Sequence, residues 1–169
     1  SPATDDYFDL VYVRWVFCFV SSPGEVVKGL RRVLRPGGKI VVQDYFNYEQ
    51  GMTLAPKREA FTRAIAAVAR SWRARGGNPD VMGELPRVVK HHGFEIEHLD
   101  VQQRIGRPNT SMWHWPWTFF NSYLPKLVEM GHLSREECDA ALKDLASISN
   151  DETAFVLLPP VFEMVAAKV

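Results

Sequence analysis

Hydrophobic residues run almost without interruption from Phe8 to Phe19, and a second apolar run follows at Ile40–Val42. Continuous apolar runs are typical of strands that are buried on both faces of a parallel sheet. The intervening segment has apolar residues at helical spacing: Val26, Val27, Leu30, Val33 and Leu34. The pattern therefore predicts a strand, a helix and a second strand, with the two strands parallel and joined by a right-handed crossover.

Both ends of the predicted helix carry local signals. Ser22 is a candidate N-cap, Pro23 suits the first helical position, and Glu25 occupies the capping-box position. Pro36-Gly37-Gly38 is expected to end the helix, because proline followed by two glycines does not continue it.

Later segments predict two further helices and a strand at a sheet edge. An amphipathic helix is expected between about Pro56 and Arg75, and a shorter helix between Leu85 and His92. Phe94–Val101 alternates apolar and polar residues, which indicates a strand with one solvated face.

Residues 105–153 are predicted to form a helical insertion or lid. The insertion includes the tryptophan-rich segment Met112–Trp117. One helix is expected over Phe119–Met130, kinked or divided by Pro125, and another begins with Ser134 as its cap.

Ala154–Val169 predicts the last strand, with a bulge or bend at Pro159-Pro160. An excursion rather than a crossover precedes this strand. The arrangement favours an antiparallel orientation for it.

Composition adds few constraints. The chain has 169 residues, 46% of them hydrophobic, and its 20 basic and 20 acidic side chains balance, which fits one domain over residues 1–169. This balance does not favour a nucleic-acid partner, and the basic stripe of Arg63, Arg70 and Arg73 is interpreted as a solvated helix face. No segment has the length and hydropathy of a membrane helix, so no membrane partner is expected.

The cysteines and histidines indicate neither a disulfide nor a metal site. Cys18 and Cys138 are expected to be reduced core thiols of a cytoplasmic protein. No spacing of Cys or His residues indicates a metal site.

Two motifs carry a family resemblance. Phe8-Asp9-Leu10-Val11 opens the first strand, and Arg32-Val33-Leu34-Arg35-Pro36-Gly37-Gly38 precedes the second. They resemble class I S-adenosylmethionine-dependent methyltransferases, and a looser likeness extends through Leu85–Val101 and Phe162–Lys168. The resemblance implies an α/β fold with part of a Rossmann-like methyltransferase sheet. The chain would supply the fourth to seventh strands, the last antiparallel, with the helical Trp-rich insertion before the last strand.

The resemblance also assigns candidate site residues. Five positions match the family's cofactor loop after the fourth strand: Val13, Arg14, Trp15, Phe17 and Phe19. Many family members have histidine where this chain has Phe19. The acceptor is expected to contact Tyr45, Trp113, Trp115 and Trp117. Asp44, at the carboxyl end of its strand, or His114 is the candidate base. The alternatives are an ion-pair role for Arg14, core packing for Phe17 and Phe19, and a capping role for Asp44.

The eleven glycines include no G-x-G, the loop with which this family holds S-adenosylmethionine. The chain is therefore expected to be the C-terminal part of a small-molecule methyltransferase, inactive or weakly cofactor-binding by itself. The alternative is a non-catalytic interaction or assembly module derived from one. The apolar first strand would have an unpaired edge, which predicts a homodimer or association with a missing N-terminal half.

Overall fold

The computed structural model of the chain describes residues 5–169, so residues 1–4 of the predicted domain lie outside the described part. The strands are β1 (Phe8–Arg14), β2 (Leu34–Tyr45), β3 (Thr53–Ala55), β4 (Phe94–Gln102), β5 (Ile105–Gly106), β6 (Phe155–Leu157) and β7 (Val161–Lys168). The α-helices are α1 (Pro23–Val33), α2 (Tyr48–Gly51), α3 (Glu59–Ala74), α4 (Leu85–His91), α5 (Ser111–Glu129) and α6 (Arg135–Ser147).

These elements form two compact units. The first comprises the described residues up to Phe46, then Arg75–Gln102 and Val161–Val169. The second comprises Asn47–Ala74 and Gln103–Pro160, so it contains the predicted insertion together with α2, β3 and α3.

The first unit contains a four-stranded sheet in the order β1-β2-β7-β4. β1 and β2 are parallel, whereas β7 is antiparallel to both of its neighbours. The predicted α/β class and the antiparallel last strand are therefore confirmed. β4 lies at one end of the sheet, as its alternating sequence predicted.

Burial in this sheet is one-sided. Ile40, Val42, Met164 and Ala166 are buried and alternate with half-exposed residues, while α1 packs against β2 and α4 packs against β4. In β1 only Val13 is buried. The prediction that the first strand is buried on both faces is wrong: within residues 5–169, β1 lies at an end of the sheet and pairs only with β2.

The boundaries of the first predicted unit also need correction. The strand expected over Phe8–Phe19 ends at Arg14, because Trp15 turns the chain with φ +52° and a 3₁₀ turn follows at Phe17–Phe19. Helix α1 starts at Pro23 as predicted, but the Ser22 side chain makes no capping bond. The helix ends at Val33, before the Pro-Gly-Gly segment.

Pro36-Gly37-Gly38 lies inside β2 rather than ending a helix. The pairing of β1 with β2 shifts here, from Phe8 opposite Leu34 to Leu10 opposite Lys39. Gly37 has φ +72°, a conformation that glycine adopts without a steric penalty. The motif therefore lies at an irregularity in the pairing of β1 with β2.

The second unit packs α3 against α5 and α6, beside a small antiparallel sheet in the order β3-β6-β5. The rings of Phe61 and Phe120 lie 4.6 Å apart in its core. Asp144 of α6 accepts a hydrogen bond from the Phe61 N–H at 3.2 Å. Arg63, Arg70 and Arg73 are exposed, which confirms their interpretation as a solvated face.

The helices of the insertion begin differently from the prediction. α5 starts at Ser111 and continues through both Pro116 and Pro125, so it includes the tryptophan-rich segment. Its buried stripe consists of Trp113, Pro116, Phe120, Leu124 and Leu127, and tertiary packing of that stripe stabilises the helix despite the missing proline N–H groups.

The end of the chain contains two strands rather than one. Pro159-Pro160 separates β6 from β7, and these strands belong to different sheets. Because proline cannot donate a ladder hydrogen bond, a proline pair favours the change from one sheet to the other over a bulge within a single strand.

Candidate functional site

The candidate site of the first unit lies where the parallel strands β1 and β2 end. Parallel strands place their carboxyl ends at the same edge, and open α/β sheets bind ligands there. Here the last residues of β2 meet the loop that follows β1. We call residues Trp15–Phe19 the β1 loop.

Trp15 is the first residue of the β1 loop. Its N–H donates to the Gln43 carbonyl at 2.9 Å, and its ring stacks on Tyr45 with centroids 6.0 Å apart and planes 13° apart. The guanidinium carbon of Arg14 lies 4.1 Å from the indole centroid, within the range of a cation–π contact.

Asp44 has no exposed surface. Its Oδ2 accepts the Cys18 N–H at 3.2 Å, and its Oδ1 accepts the Tyr45 N–H at 2.9 Å. Burial raises the pKa of Asp44 above its usual value, although the hydrogen bonds from Tyr45 and Cys18 oppose that shift. Burial, with the neighbouring Asp44 carboxylate, also raises the pKa of the Cys18 thiol, which therefore stays protonated.

The five positions matched to a cofactor loop differ in accessibility. Val13 is 9% exposed and Phe17 is fully buried. Arg14 is exposed, Trp15 is half-buried, and Phe19 is 52% exposed. The side chains that present surface to a ligand are therefore those of Arg14, Trp15 and Phe19, whereas Val13 and Phe17 provide packing beneath them. Their role in cofactor binding stays a prediction.

The predicted tryptophan cluster belongs to the second unit. Its members all lie on helix α5 but differ in how far they are buried. Trp113 is buried in the core, His114 is exposed, and Trp115 and Trp117 are half-buried. The candidate residues are thus divided: Asp44 and Tyr45 lie in the first unit, and His114 lies with the tryptophans in the second.

An aromatic stripe on α5 joins Trp115 to residues one and two turns further along the helix. The Trp115 and Phe119 rings are 5.9 Å apart and nearly parallel at 4°, and Phe119 stacks on Tyr123 at 5.2 Å. The sequence interpretation did not include Tyr123. Trp115, Phe119 and Tyr123 are four residues apart, which places them on one face of a helix. This signal could be used only if the helix was predicted to extend back across Pro116.

The second unit also has a polar cleft that the sequence did not predict. Its volume is about 340 Å³, and it is lined by Arg107, Pro108, Asn109, Asn150 and Glu152. Over residues 5–169, no group of three or more His, Cys, Asp and Glu side chains could hold a metal ion.

The state of the cysteines and the character of the helices test two further expectations, reduced thiols and the lack of a membrane helix. Cys18 and Cys138 are both free and buried, as predicted. None of the helices in the described part of the chain has the length and apolar character needed to cross a membrane.

Comparison with solved structures identifies the fold. A Bacillus halodurans protein with a provisional methyltransferase description superposes with a TM-score of 0.56 at 14% identity, covering 99% of this chain and 73% of its own. A Galdieria sulphuraria protein, provisionally described as a sarcosine dimethylglycine methyltransferase, gives 0.50 at 14% identity, covering 99% of this chain and 55% of its own. The chain therefore shares the α/β fold of these structures.

Sequence comparison agrees with the fold. Residues 1–42 match the family described as a methyltransferase domain. The tRNA U34 carboxymethyltransferase of Syntrophotalea carbinolica is 29% identical over 87 residues, and the demethylmenaquinone methyltransferase of Mycolicibacterium paratuberculosis is 29% identical over 89. These alignments cover 47% and 53% of this chain. The chain is thus similar to methyltransferases over part of its length, and the matched parts span 27% and 37% of the lengths of these two relatives.

Proposed function

We propose that this protein uses S-adenosylmethionine to methylate a small-molecule acceptor, and that the β1 loop forms part of the cofactor site. The observation that carries the proposal is the position of this aromatic loop at the carboxyl ends of β1 and β2, within a methyltransferase fold. The bound cofactor would supply a sulfonium methyl group that is susceptible to nucleophilic attack.

The residues of the loop fit such a cofactor. Trp15 and Phe19 offer partly exposed aromatic surface, which suits an adenine ring and the positive charge of a sulfonium. Arg14 adds an exposed guanidinium, which suits a carboxylate. These side chains would bind and orient the cofactor and exclude water from it.

For the acceptor, the stripe of Trp115, Phe119 and Tyr123 supports an apolar, aromatic or cationic small molecule. Three stacked rings offer both apolar area and π faces. Tyr45 and Trp113 are buried, so we assign them a packing role beside this proposed function, and Trp117 stays a candidate contact.

Of the two candidate bases, we favour His114. Its imidazole is exposed and lies on a helix, so it can accept a proton from a bound acceptor. The Asp44 carboxylate is buried and already accepts main-chain N–H groups. The free thiols Cys18 and Cys138 support a reducing compartment, and we extend the proposal to a cytoplasmic location.

A non-catalytic assembly module is the second candidate. The observation that favours it is the exposed apolar surface of β1, where Phe8, Leu10 and Tyr12 are 40%, 53% and 52% exposed. Such surface is typical of a protein-interaction site.

Ultraviolet crosslinking with methyl-tritiated S-adenosylmethionine distinguishes the two candidates. We expect saturable labelling of a peptide containing the β1 loop, competed by S-adenosylhomocysteine and strongly reduced by Phe19→Ser. Tyr7→Ser is the matched control, because Tyr7 is an exposed aromatic residue just before β1, at the opposite end of that strand. Labelling that is not competed, or that is equal in the two variants, contradicts the proposal and favours the assembly module.

A further inference from the structure

Three consecutive residues at the end of β2 contact the β1 loop, two of them at Trp15 and one at Cys18. The Gln43 carbonyl accepts the Trp15 N–H, the Asp44 carboxylate accepts the Cys18 N–H, and the Tyr45 ring stacks on Trp15. Of these three contacts, only the one at Asp44 is made by a carboxyl side chain.

Asp44 is also unusual in its burial. In the described part of the chain, Asp44 and Ser71 are the buried polar residues. Burial of a carboxylate is costly unless hydrogen bonds compensate for the lost hydration. Each carboxyl oxygen of Asp44 accepts such a bond, one from the Cys18 N–H and one from the Tyr45 N–H. We call the Asp44–Cys18 contact the anchor of the β1 loop.

The anchor extends beyond the β1 loop. The Cys18 carbonyl accepts the Asn78 N–H at 2.9 Å, so Cys18 links Asp44 to the turn that precedes the 3₁₀ turn Val81–Gly83. The main chain of Cys18 is therefore bonded to β2 through its N–H and to Asn78 through its carbonyl. Releasing the Asp44 end of this link would free the Cys18 N–H and leave the bond from the Asn78 N–H to the Cys18 carbonyl.

The backbone conformation of Trp15 explains why the β1 loop needs contacts from β2. Its φ of +52° lies in the left-handed region, which costs a non-glycine residue free energy. The contacts from β2 keep the loop in this turn, and the turn directs the chain from β1 into Phe17–Phe19. A loop without those contacts would relax toward ordinary backbone angles and displace Trp15 and Phe19.

We propose that Asp44 is a positioning residue, which holds the β1 loop through the Cys18 N–H and thereby sets the affinity of the cofactor site. This inference rests on the proposed function and replaces the expectation that Asp44 acts as a base. A base must reach the proton that it abstracts, and Asp44 has no exposed surface from which to do so. Its oxygens are aimed at main-chain N–H groups instead.

The first test is hydrogen exchange of the unmodified chain and of Asp44→Asn. The Cys18 amide is expected to be protected in the unmodified chain, and Asp44→Asn is expected to speed its exchange about tenfold or more, since hydrogen bonds to charged groups are the stronger ones. Ile40 and Val42 in the middle of β2 should exchange as before. A Cys18 amide that is unprotected in the unmodified chain overturns the anchor, whether or not the variant folds.

The second test is the crosslinking of methyl-tritiated S-adenosylmethionine to the same two proteins. We expect Asp44→Asn to shift half-maximal labelling to higher cofactor concentration, with the saturated level of labelling retained. Ser71→Ala, at the other buried polar residue, is the control that changes a buried hydrogen bond outside the first unit. Equal concentration dependence in Asp44→Asn and the unmodified chain overturns the positioning role.

Failure of the proposed function is distinguishable from failure of this inference. If the unmodified chain shows no competed labelling, the proposed function fails, and with it the cofactor role of Asp44. Hydrogen exchange at Cys18 decides the anchor independently, because it requires no cofactor.

Discussion

Gly51 and Gly29 differ in the space that surrounds them. A Cβ on Gly51 would lie 2.4 Å from Cδ and 2.7 Å from Cγ of Pro160, whereas nothing lies within 4 Å of a Cβ on Gly29. Gly51→Ala should therefore lower the free energy of unfolding by about 1–3 kcal/mol through overpacking. Gly29→Ala should raise it by about 1 kcal/mol, because Gly29 is an exposed interior residue of α1.

Urea denaturation of the two variants beside the unmodified chain measures both effects. Each change adds the same methyl group to a helical glycine, so the pair controls for helix propensity. Destabilisation of similar size in both variants would contradict the close approach of Pro160 to Gly51.

Single residues were predicted well where local rules apply and poorly where distant contacts decide. Asp44 and Tyr45 lie at the carboxyl end of their strand, as expected. The partner of Asp44 could not be predicted, because Cys18 is separated from it by 26 positions and lies in a turn that the apolar run conceals. The left-handed conformation of Trp15 has no sequence signal either, since tryptophan rarely adopts it.

At the level of secondary-structure elements, α6 and α1 start with similar sequences but different caps. Ser134 caps α6 as predicted, and with Glu137 it forms a reciprocal capping box at distances of 3.1 Å and 2.8 Å. Ser22 and Glu25 have the same spacing and form no such box. The same residue spacing allows a capping box at both helices. The backbone is extended at Ser134 but not at Ser22, and only Ser134 makes the capping bonds.

The capping box of α6 makes the stability of this helix depend on pH. The hydrogen bonds with the Ser134 main chain and side chain, then the charges of Arg63 and Arg70, lower the pKa of Glu137 below its usual value of 4.5. A carboxyl group with a depressed pKa stabilises the fold above its usual pKa, and this stabilisation is lost as the pH falls through the depressed value. Glu137→Gln should therefore melt at a lower temperature than the unmodified chain at neutral pH.

Thermal unfolding followed by circular dichroism at neutral and acidic pH tests this expectation. The difference in melting temperature between Glu137→Gln and the unmodified chain should narrow once the pH is below 4.5 and close when the carboxyl is protonated. Glu136→Gln is the control, because Glu136 lies in the same first turn but outside the capping box. A difference that is constant with pH would contradict the charge-dependent role of Glu137.

Element boundaries were the least predictable part of the fold. The helix was predicted to begin only at Phe119 and to be kinked or divided by Pro125. Instead, α5 begins at Ser111 and passes through both Pro116 and Pro125, because five buried residues on one face stabilise it. The reverse holds for Pro159-Pro160, which divides two strands that were predicted as one. A proline removes one hydrogen bond in each case, and the packing around it determines whether the element continues.

For the whole molecule, the antiparallel direction of the last strand was predicted from the excursion that precedes it, whereas the position of β7 between β2 and β4 was not predicted. The unit to which α3 belongs was not predicted either. Its periodicity predicted an apolar face, and Phe61, Ile65, Val68 and Trp72 are indeed buried. Periodicity does not identify the core that receives such a face, and α3 belongs to the unit of α5 and α6 rather than to that of the four-stranded sheet.

Self-association through β1 is the prediction that belongs to the whole molecule. β1 is an end strand, and Phe8, Leu10 and Tyr12 expose 40%, 53% and 52% of their surface. Among residues 5–169, β1 is paired with a strand on one edge only. An apolar end strand favours pairing along its other edge, and a second copy of the chain would provide an identical strand. We therefore propose that the chain forms a symmetric dimer through β1.

Sedimentation velocity over a range of concentrations measures the association. The unmodified chain should change from monomer to dimer as its concentration rises, and Leu10→Lys should remain a monomer, because a charge on an end strand opposes pairing. Leu99→Lys is the matched control, since Leu99 is 49% exposed on β4 at the other end of the sheet. A chain that stays monomeric throughout, or dimers that Leu99→Lys and Leu10→Lys weaken equally, would contradict pairing through β1.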